Sequence, residues 1–228
     1  NIDAGLWAQG FINHSAQTGA SEYNGNTYGI AVGGDIAITN DIKAGIAYVF
    51  NSTDADATER TIGSTGHNFA LYGQYDLSKL ALNALISYGV ASYTDNAQLV
   101  DSEYKSNNFG LNISADYAFS DNWTGFAGAR YLMVSQDKYT DSIGQKISID
   151  DSHILTLGVG GKYSDNIEMF GLAFNPVISA ALTYDVLNSE HTAIVNIANA
   201  VYQITGDTID PLGLEIGLAL EKSIGNWN

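Results

Sequence analysis

Thr27-Tyr28-Gly29-Ile30-Ala31-Val32-Gly33-Gly34-Asp35-Ile36-Ala37-Ile38-Thr39 alternates with a period of two. Tyr28, Ile30, Val32, Ile36 and Ile38 fall on one register, while Gly29, Ala31, Gly33, Asp35 and Ala37 fall on the other. Successive side chains of a strand point to opposite faces, so the stretch is a β-strand with one bulky apolar face and one small or polar face. A soluble sandwich interdigitates large side chains in its core and turns a polar face to water. A face of Gly, Ala and Asp fills no core. The arrangement suits a sheet whose apolar side meets lipid, and such a sheet must close on itself because hydrocarbon offers its edges no hydrogen bonds.

The pattern recurs along the chain. Phe109, Leu111, Ile113, Ala115, Tyr117 and Phe119 alternate with Gly110, Asn112, Ser114, Asp116 and Ala118. Leu155, Leu157, Val159 and Tyr163 alternate with Thr156, Gly158, Gly160 and Lys162. Alternation predicts strands over about 5–15, 27–39, 43–53, 68–77, 80–93, 106–119, 123–134, 152–163, 170–187 and 212–222. Short polar turns at Asn40-Asp41, Ser78-Lys79, Ser120-Asp121-Asn122 and Ser164-Asp165-Asn166 alternate with longer connections, one of them running from Asp54 to His67. Short turns on one rim and long loops on the other characterise bacterial outer-membrane barrels, whose short rim is periplasmic. The longest connection, from Asn188 to Asp210, is expected to project as a hairpin beyond the membrane. The expected fold is therefore all-β, a transmembrane antiparallel up-and-down β-barrel of about ten strands in this chain, with residues 1–228 as one domain.

Composition bounds the function. At 228 residues the chain is long enough for roughly ten to twelve tilted strands at about 9 to 11 residues per crossing. Half of each barrel strand faces water, which explains an ordinary hydrophobic content of 45%. No apolar run approaches the roughly 18 residues of a membrane helix. With no cysteine and only His14, His67, His153 and His191, disulfides and a structural zinc site are not expected. A net charge of −16 excludes a basic footprint for nucleic acid. Acid gathers between strands, as at Asp54, Asp56 and Glu59, and is read as solvated loop. Trp7, Tyr28, Phe50, Tyr75, Tyr88, Tyr93, Phe119, Trp123, Tyr131, Tyr163, Tyr184 and Trp227 lie near strand ends, where amphipathic rings form interfacial girdles. Ile224-Gly225-Asn226-Trp227 is similar to the turn Ser120-Asp121-Asn122-Trp123, so C-terminal strands are expected beyond it.

Several stretches together resemble the C-terminal translocator domain of the autotransporters, the type V secretion system of Gram-negative bacteria. Thr27 to Asp35 is similar to the family's second strand, Gly45-Ile46-Ala47-Tyr48 to its third and Leu71-Tyr72-Gly73 to its fourth. Phe126-Ala127-Gly128-Ala129-Arg130-Tyr131 resembles its seventh, though Gly125 stands where a proline is usual, and Asn175-Pro176-Val177 resembles a strand start near the ninth. The resemblance implies a barrel of about twelve strands that anchors in the outer membrane and takes part in exporting an N-terminal passenger to the cell surface, helped by the barrel-assembly machinery. The lipid and lipopolysaccharide of that membrane are its expected surroundings.

The small-residue register carries the candidate lumen-lining residues Asp35, Asp76, Asp116, Arg130, Lys162, Asp185, Glu215 and Glu221. On the lipid face Arg or Lys would cost about 2 to 4 kcal/mol at the midplane, so their placement marks the inside. A mutually paired, solvated lumen is one reading of them; contact with a passenger linker is the other. No residue is assigned a catalytic, cofactor-binding or metal-binding role. Asp150-Asp151-Ser152-His153 is the one cluster with hydrolytic ingredients, and alternation sets Ser152 on the face opposite His153. A porin-like or adhesion-type barrel with functional extracellular loops is the alternative to the translocator.

Overall fold

The computed structural model describes residues 4–17, 22–98, 100–169, 172–188, 192–197, 200–205 and 211–227. Ten strands form a closed antiparallel ring: β1 (Ala4–Gln17), β2 (Tyr23–Ala37), β3 (Ile42–Ala57), β4 (Arg60–Leu77), β5 (Leu80–Ala97), β6 (Val100–Ala118), β7 (Trp123–Gln136), β10 (Ser152–Ser164), β12 (Leu172–Asn188) and β15 (Leu212–Trp227). Each pairs with its chain neighbour in the ring, and β15 returns to β1 with His14 opposite Ile216 and Ala4 opposite Trp227. Closure leaves no edge in the hydrocarbon, where each unpaired backbone group costs several kcal/mol. The intervening β8 (Tyr139–Thr140) and β9 (Lys146–Ile149) join β13 (Thr192–Ile197) and β14 (Ala200–Thr205) in a separate four-stranded sheet, and the short β11 (Ile167–Met169) pairs with the start of β12.

Bulky side chains point away from the ring. Ile30 is 51% exposed, Leu157 48% and Ile46 68%. Among the described residues the buried apolar side chains are only Ala31, Ala47, Ala181 and Val195. A dry centre built on large residues would show the reverse. The alternation that set Ile30 against Ala31 is thus an outside and an inside.

The short rim is built as the turns require. Ser78, with φ of 60°, sits in the two-residue turn between the paired Leu77 and Leu80, a left-handed conformation that tight hairpins demand. At the other short turns a side chain closes the loop: Ile42 N–H donates to Thr39 Oγ1 at 3.0 Å and Trp123 N–H to Ser120 Oγ at 3.2 Å.

Three expectations are corrected. First, Ile224 to Trp227 is strand rather than turn, with Asn226 opposite Gly5. The likeness to Ser120–Trp123 was local, whereas β1 offered an edge to be paired. Second, the long loop from Asp54 to His67 is a continuous hairpin, pairing Asp54 with Gly63 and Ala57 with Arg60. Third, Trp7 and Tyr93 belong to no girdle: both point inward. Trp7 lies on the register of β1 that meets the small face of β2, and a Cβ at Gly33 would collide with its indole, as one at Gly29 would with the ring of Phe11. The glycines of β2 make room for the inward rings of β1. The Trp227 side chain lies outside the described residues. The hairpin expected between Asn188 and Asp210 is present as β13 and β14.

Candidate functional site

The interior is the candidate site, because only side chains on the concave face of a closed ring reach strands that are not neighbours. Arg130 on β7 donates through Nη2 to Glu215 Oε1 on β15 at 2.8 Å, with β10 and β12 lying between them. Lys162 on β10 donates to Asp116 Oδ2 on β6 at 2.7 Å and stands 5.0 Å over the Phe126 ring. On the opposite wall Trp7 Nε1 donates to Tyr72 Oη at 2.6 Å, and that hydroxyl donates to Asp35 Oδ2 at 3.1 Å, linking β1, β4 and β2.

Every described member of the predicted set thus has a partner. Asp76 accepts from Gln74 Nε2 at 2.6 Å and Asp185 from Thr156 Oγ1 at 2.6 Å. Three groups form: Arg130 with Glu215, Lys162 with Asp116, and Asp35 with Tyr72 and Trp7. Asp76 and Asp185 join none of these. Glu221 lies on β15 opposite Gln9 and Asn175, and its side chain is outside the described residues. Beside the bridges lie cavities of about 200, 350 and 520 Å³. The first is lined by Asp116, Phe126, Arg130, Thr156, Lys162 and Glu215 among others.

The mouth on the long-loop side carries a second cluster that sequence reasoning missed. Arg60 grips Asp95 with two hydrogen bonds, Nε to Oδ1 at 2.7 Å and Nη2 to Oδ2, and Asp95 is 5% exposed. Beside this pair the rings of Tyr93, Tyr104 and Tyr139 stack in series, with centroids 5.0 and 4.9 Å apart. Tyr139 belongs to β8, so the stack fastens the loop sheet onto the inner face of the wall. Asp141 holds the same loop by accepting from the Ile143 and Gln145 amides. Burial first, and the charge of Asp95 second, push the Tyr104 hydroxyl up to about 12. Tyr139 is raised for the same two reasons in the same order. The Arg60 guanidinium is held above its ordinary value by its hydrogen bond to Asp95. The inward register of β4 and β5 could have indicated Arg60 and Asp95 had the strands been extended that far.

The hydrolytic ingredients do not assemble. Ser152 is buried on the inner side at 6% exposure, while His153 faces outward and meets Tyr131 Oη through Nδ1 at 2.8 Å.

A closed ring, an apolar exterior and a bridged, charged interior define an outer-membrane β-barrel. The chain belongs to the autotransporter β-domain family, whose model matches residues 6–227. It is 24% identical over 214 residues to outer membrane protein A of Rickettsia conorii, and equally so to that of Rickettsia rickettsii, in each case across 81% of this chain. The chain spans only 11% and 10% of the length of those two relatives. Among solved structures, the translocator domain of autotransporter NalP from Neisseria meningitidis aligns with a TM-score of 0.68 at 14% identity, covering 97% of this chain and 88% of its own. The β domain of the Bordetella autotransporter BrkA aligns at 0.66 with 16% identity, over 97% and 100%. At those identities the likeness is one of fold. The chain is an outer-membrane translocator domain.

Proposed function

We propose that this barrel anchors its protein in the outer membrane and takes part in exporting an N-terminal passenger to the cell surface. The observation that carries the proposal is the position of β1. Ala4 lies on the rim of the short turns, beside Ile36 and Trp227, and the short rim of such barrels is periplasmic. A segment preceding β1 therefore starts on the periplasmic side and has to cross the membrane to reach the surface, along an interior lined by the charged groups described above. Those groups, Asp35, Asp116, Arg130, Lys162 and Glu215 foremost, are the residues proposed to meet a passing linker. Assembly machinery that inserts barrels is the expected helper.

The test is a full-length gene with an epitope placed upstream of β1. Intact cells should present the epitope to antibody when this barrel follows it and should hide it when an unrelated outer-membrane barrel is substituted. An epitope that remains periplasmic behind the native barrel overturns the proposal.

A further inference from the structure

The long-loop end of the lumen is roofed. Side chains on the concave face of an open mouth would stand in water, yet Asp95, Ser102, Ser106 and Ser152 are each 9% exposed or less. The roof is the four-stranded loop sheet, and its register shows which way it lies. Tyr139, Ile147, Val195 and Tyr202 stand directly opposite one another across β8, β9, β13 and β14, so one apolar row runs the width of the sheet. The adjoining row of Thr140, Lys146, Asn196 and Val201 lies on the other face and is exposed. Tyr139 ends the apolar row against Tyr104 on the inner wall and Val195 is buried, while Tyr202 at the far edge is 54% exposed. The sheet thus lies apolar side down, fastened at one end and free at the other.

That fastening is slight. Above Ser106, where β7 has ended, the edge of β6 is bonded by the loop instead. Asp137 N–H donates to the Lys105 carbonyl and Ser142 N–H to the Asp101 carbonyl, and Asp101 N–H donates to Ser142 Oγ, each at 2.9 Å. Against these ties stands a cost at the root of the loop. Gln136 and Ser152 flank the 137–151 connection and Ser106 pairs opposite Gln136; Ser106 Oγ, Gln136 Nε2 and Ser152 Oγ are buried with no hydrogen-bond partner among the described residues. A cover that strands buried polar atoms forfeits the hydrogen bonds that an open mouth would return to them. We propose that residues 137–149 are a lid, latched to β6 in the resting barrel, that swings off this edge when a polypeptide enters the lumen from the periplasmic end. The three stranded side chains then bond the chain that passes. Closed and open forms are two arrangements of one element, and an entering chain shifts their balance because it bonds only the open one. The identity of the passing chain rests on the reading of export above; the latch does not.

The full-length protein is tested in intact cells in two ways. Ser152→Cys places a thiol on the roofed inner face of a barrel that has no cysteine of its own, and its labelling by a membrane-impermeant maleimide reports opening. Labelling should be slow with the latch intact and roughly tenfold faster once Tyr139→Ala removes the stack. Equal rates in the two, or rapid labelling with the latch intact, overturn the lid. The paired variant Asp101→Cys, Ser142→Cys should form a disulfide across the latch, because residues opposed by backbone hydrogen bonds lie about 5.5 Å apart at Cα. When oxidised it should keep the upstream epitope from the surface, and a reductant should restore display to the parental level. A pair that does not oxidise contradicts the latch, and display undiminished by the closed disulfide overturns the gating. Heat-shifted gel mobility reports that each barrel is folded. A parent that never displays the epitope refutes export, and the labelling rates then decide the lid alone.

Discussion

Arg130 and Arg60 each meet a carboxylate, yet the two pairs differ in what surrounds them. The Arg130 and Glu215 side chains are 50% and 42% exposed, and water screens such a pair to about 1 kcal/mol or less. Asp95 is shielded, at 6% side-chain exposure, so removing Arg60 strands a buried carboxylate. Arg130→Ala should therefore shift the urea unfolding midpoint little, whereas Arg60→Ala should lower stability by about 2 kcal/mol, reduced from the cost in a dry interior because Arg60 itself is half exposed. The tyrosines beside Asp95 add a pH signature. Tyr104 titrates near 12 when folded against about 10 unfolded. Between those values the folded state holds the extra proton, so the contribution of Tyr104 is intact below about pH 10 and is lost as pH rises toward 12. Ultraviolet titration of phenolate should show a late-ionising component that Tyr104→Phe removes.

At the scale of the strand, alternation is an energetic statement and can be tested as one. Ile46 projects into lipid at 68% exposure, and Ile46→Arg should cost about 2 to 4 kcal/mol near the midplane, read as a lowered midpoint in equilibrium unfolding from lipid vesicles. The same logic explains which part of the fold was legible. Wherever one face met hydrocarbon, as from Tyr28 to Ile38 or from Phe109 to Phe119, apolar and small residues alternated and the strand could be read. Above the membrane both faces are wet. Asp54, Asp56, Thr61 and Ser64 then carry no period-two contrast, although pairing continues to the turn before Arg60. The upper halves of β3 and β4 were invisible for that reason, and Arg60 and Asp95 with them. Trp7 was misplaced because β1 carries large side chains on both registers, Leu6 and Ile12 outside, Trp7 and Phe11 inside. Their direction is decided by the glycines on β2, a cross-strand fact that a single segment does not hold. The charged residues of the small-residue register could be named one by one from the sequence. That they pair was one reading of them; which meets which was not legible, because Arg130 and Glu215 stand 85 positions apart and meet only when the ring closes.

For the molecule as a whole, strand number and lumen contents decide what can pass. Barrels of about eight strands are filled by side chains or hold one small ligand, and an open aqueous channel comes with about 16 to 18. Ten strands lie near the filled end, and here the interior is further divided by Arg130–Glu215, Lys162–Asp116 and Trp7–Tyr72, with the Tyr93–Tyr104–Tyr139 stack at the mouth. A porin-like role needs a continuous wet path. Here bonded side chains run between the walls beside cavities of about 200, 350 and 520 Å³. The barrel in planar bilayers should accordingly show little steady conductance. The double variant Arg130→Ala, Lys162→Ala removes two partitions at once while leaving the lipid face untouched, and adding Tyr139→Ala loosens the loop sheet at the mouth. Conductance should rise stepwise through that series, with each barrel still heat-modifiable on gels. A parent already conducting as much as the triple variant would mean that the bridges do not close the lumen, and the porin reading would then be preferred to a translocator held shut by its own side chains.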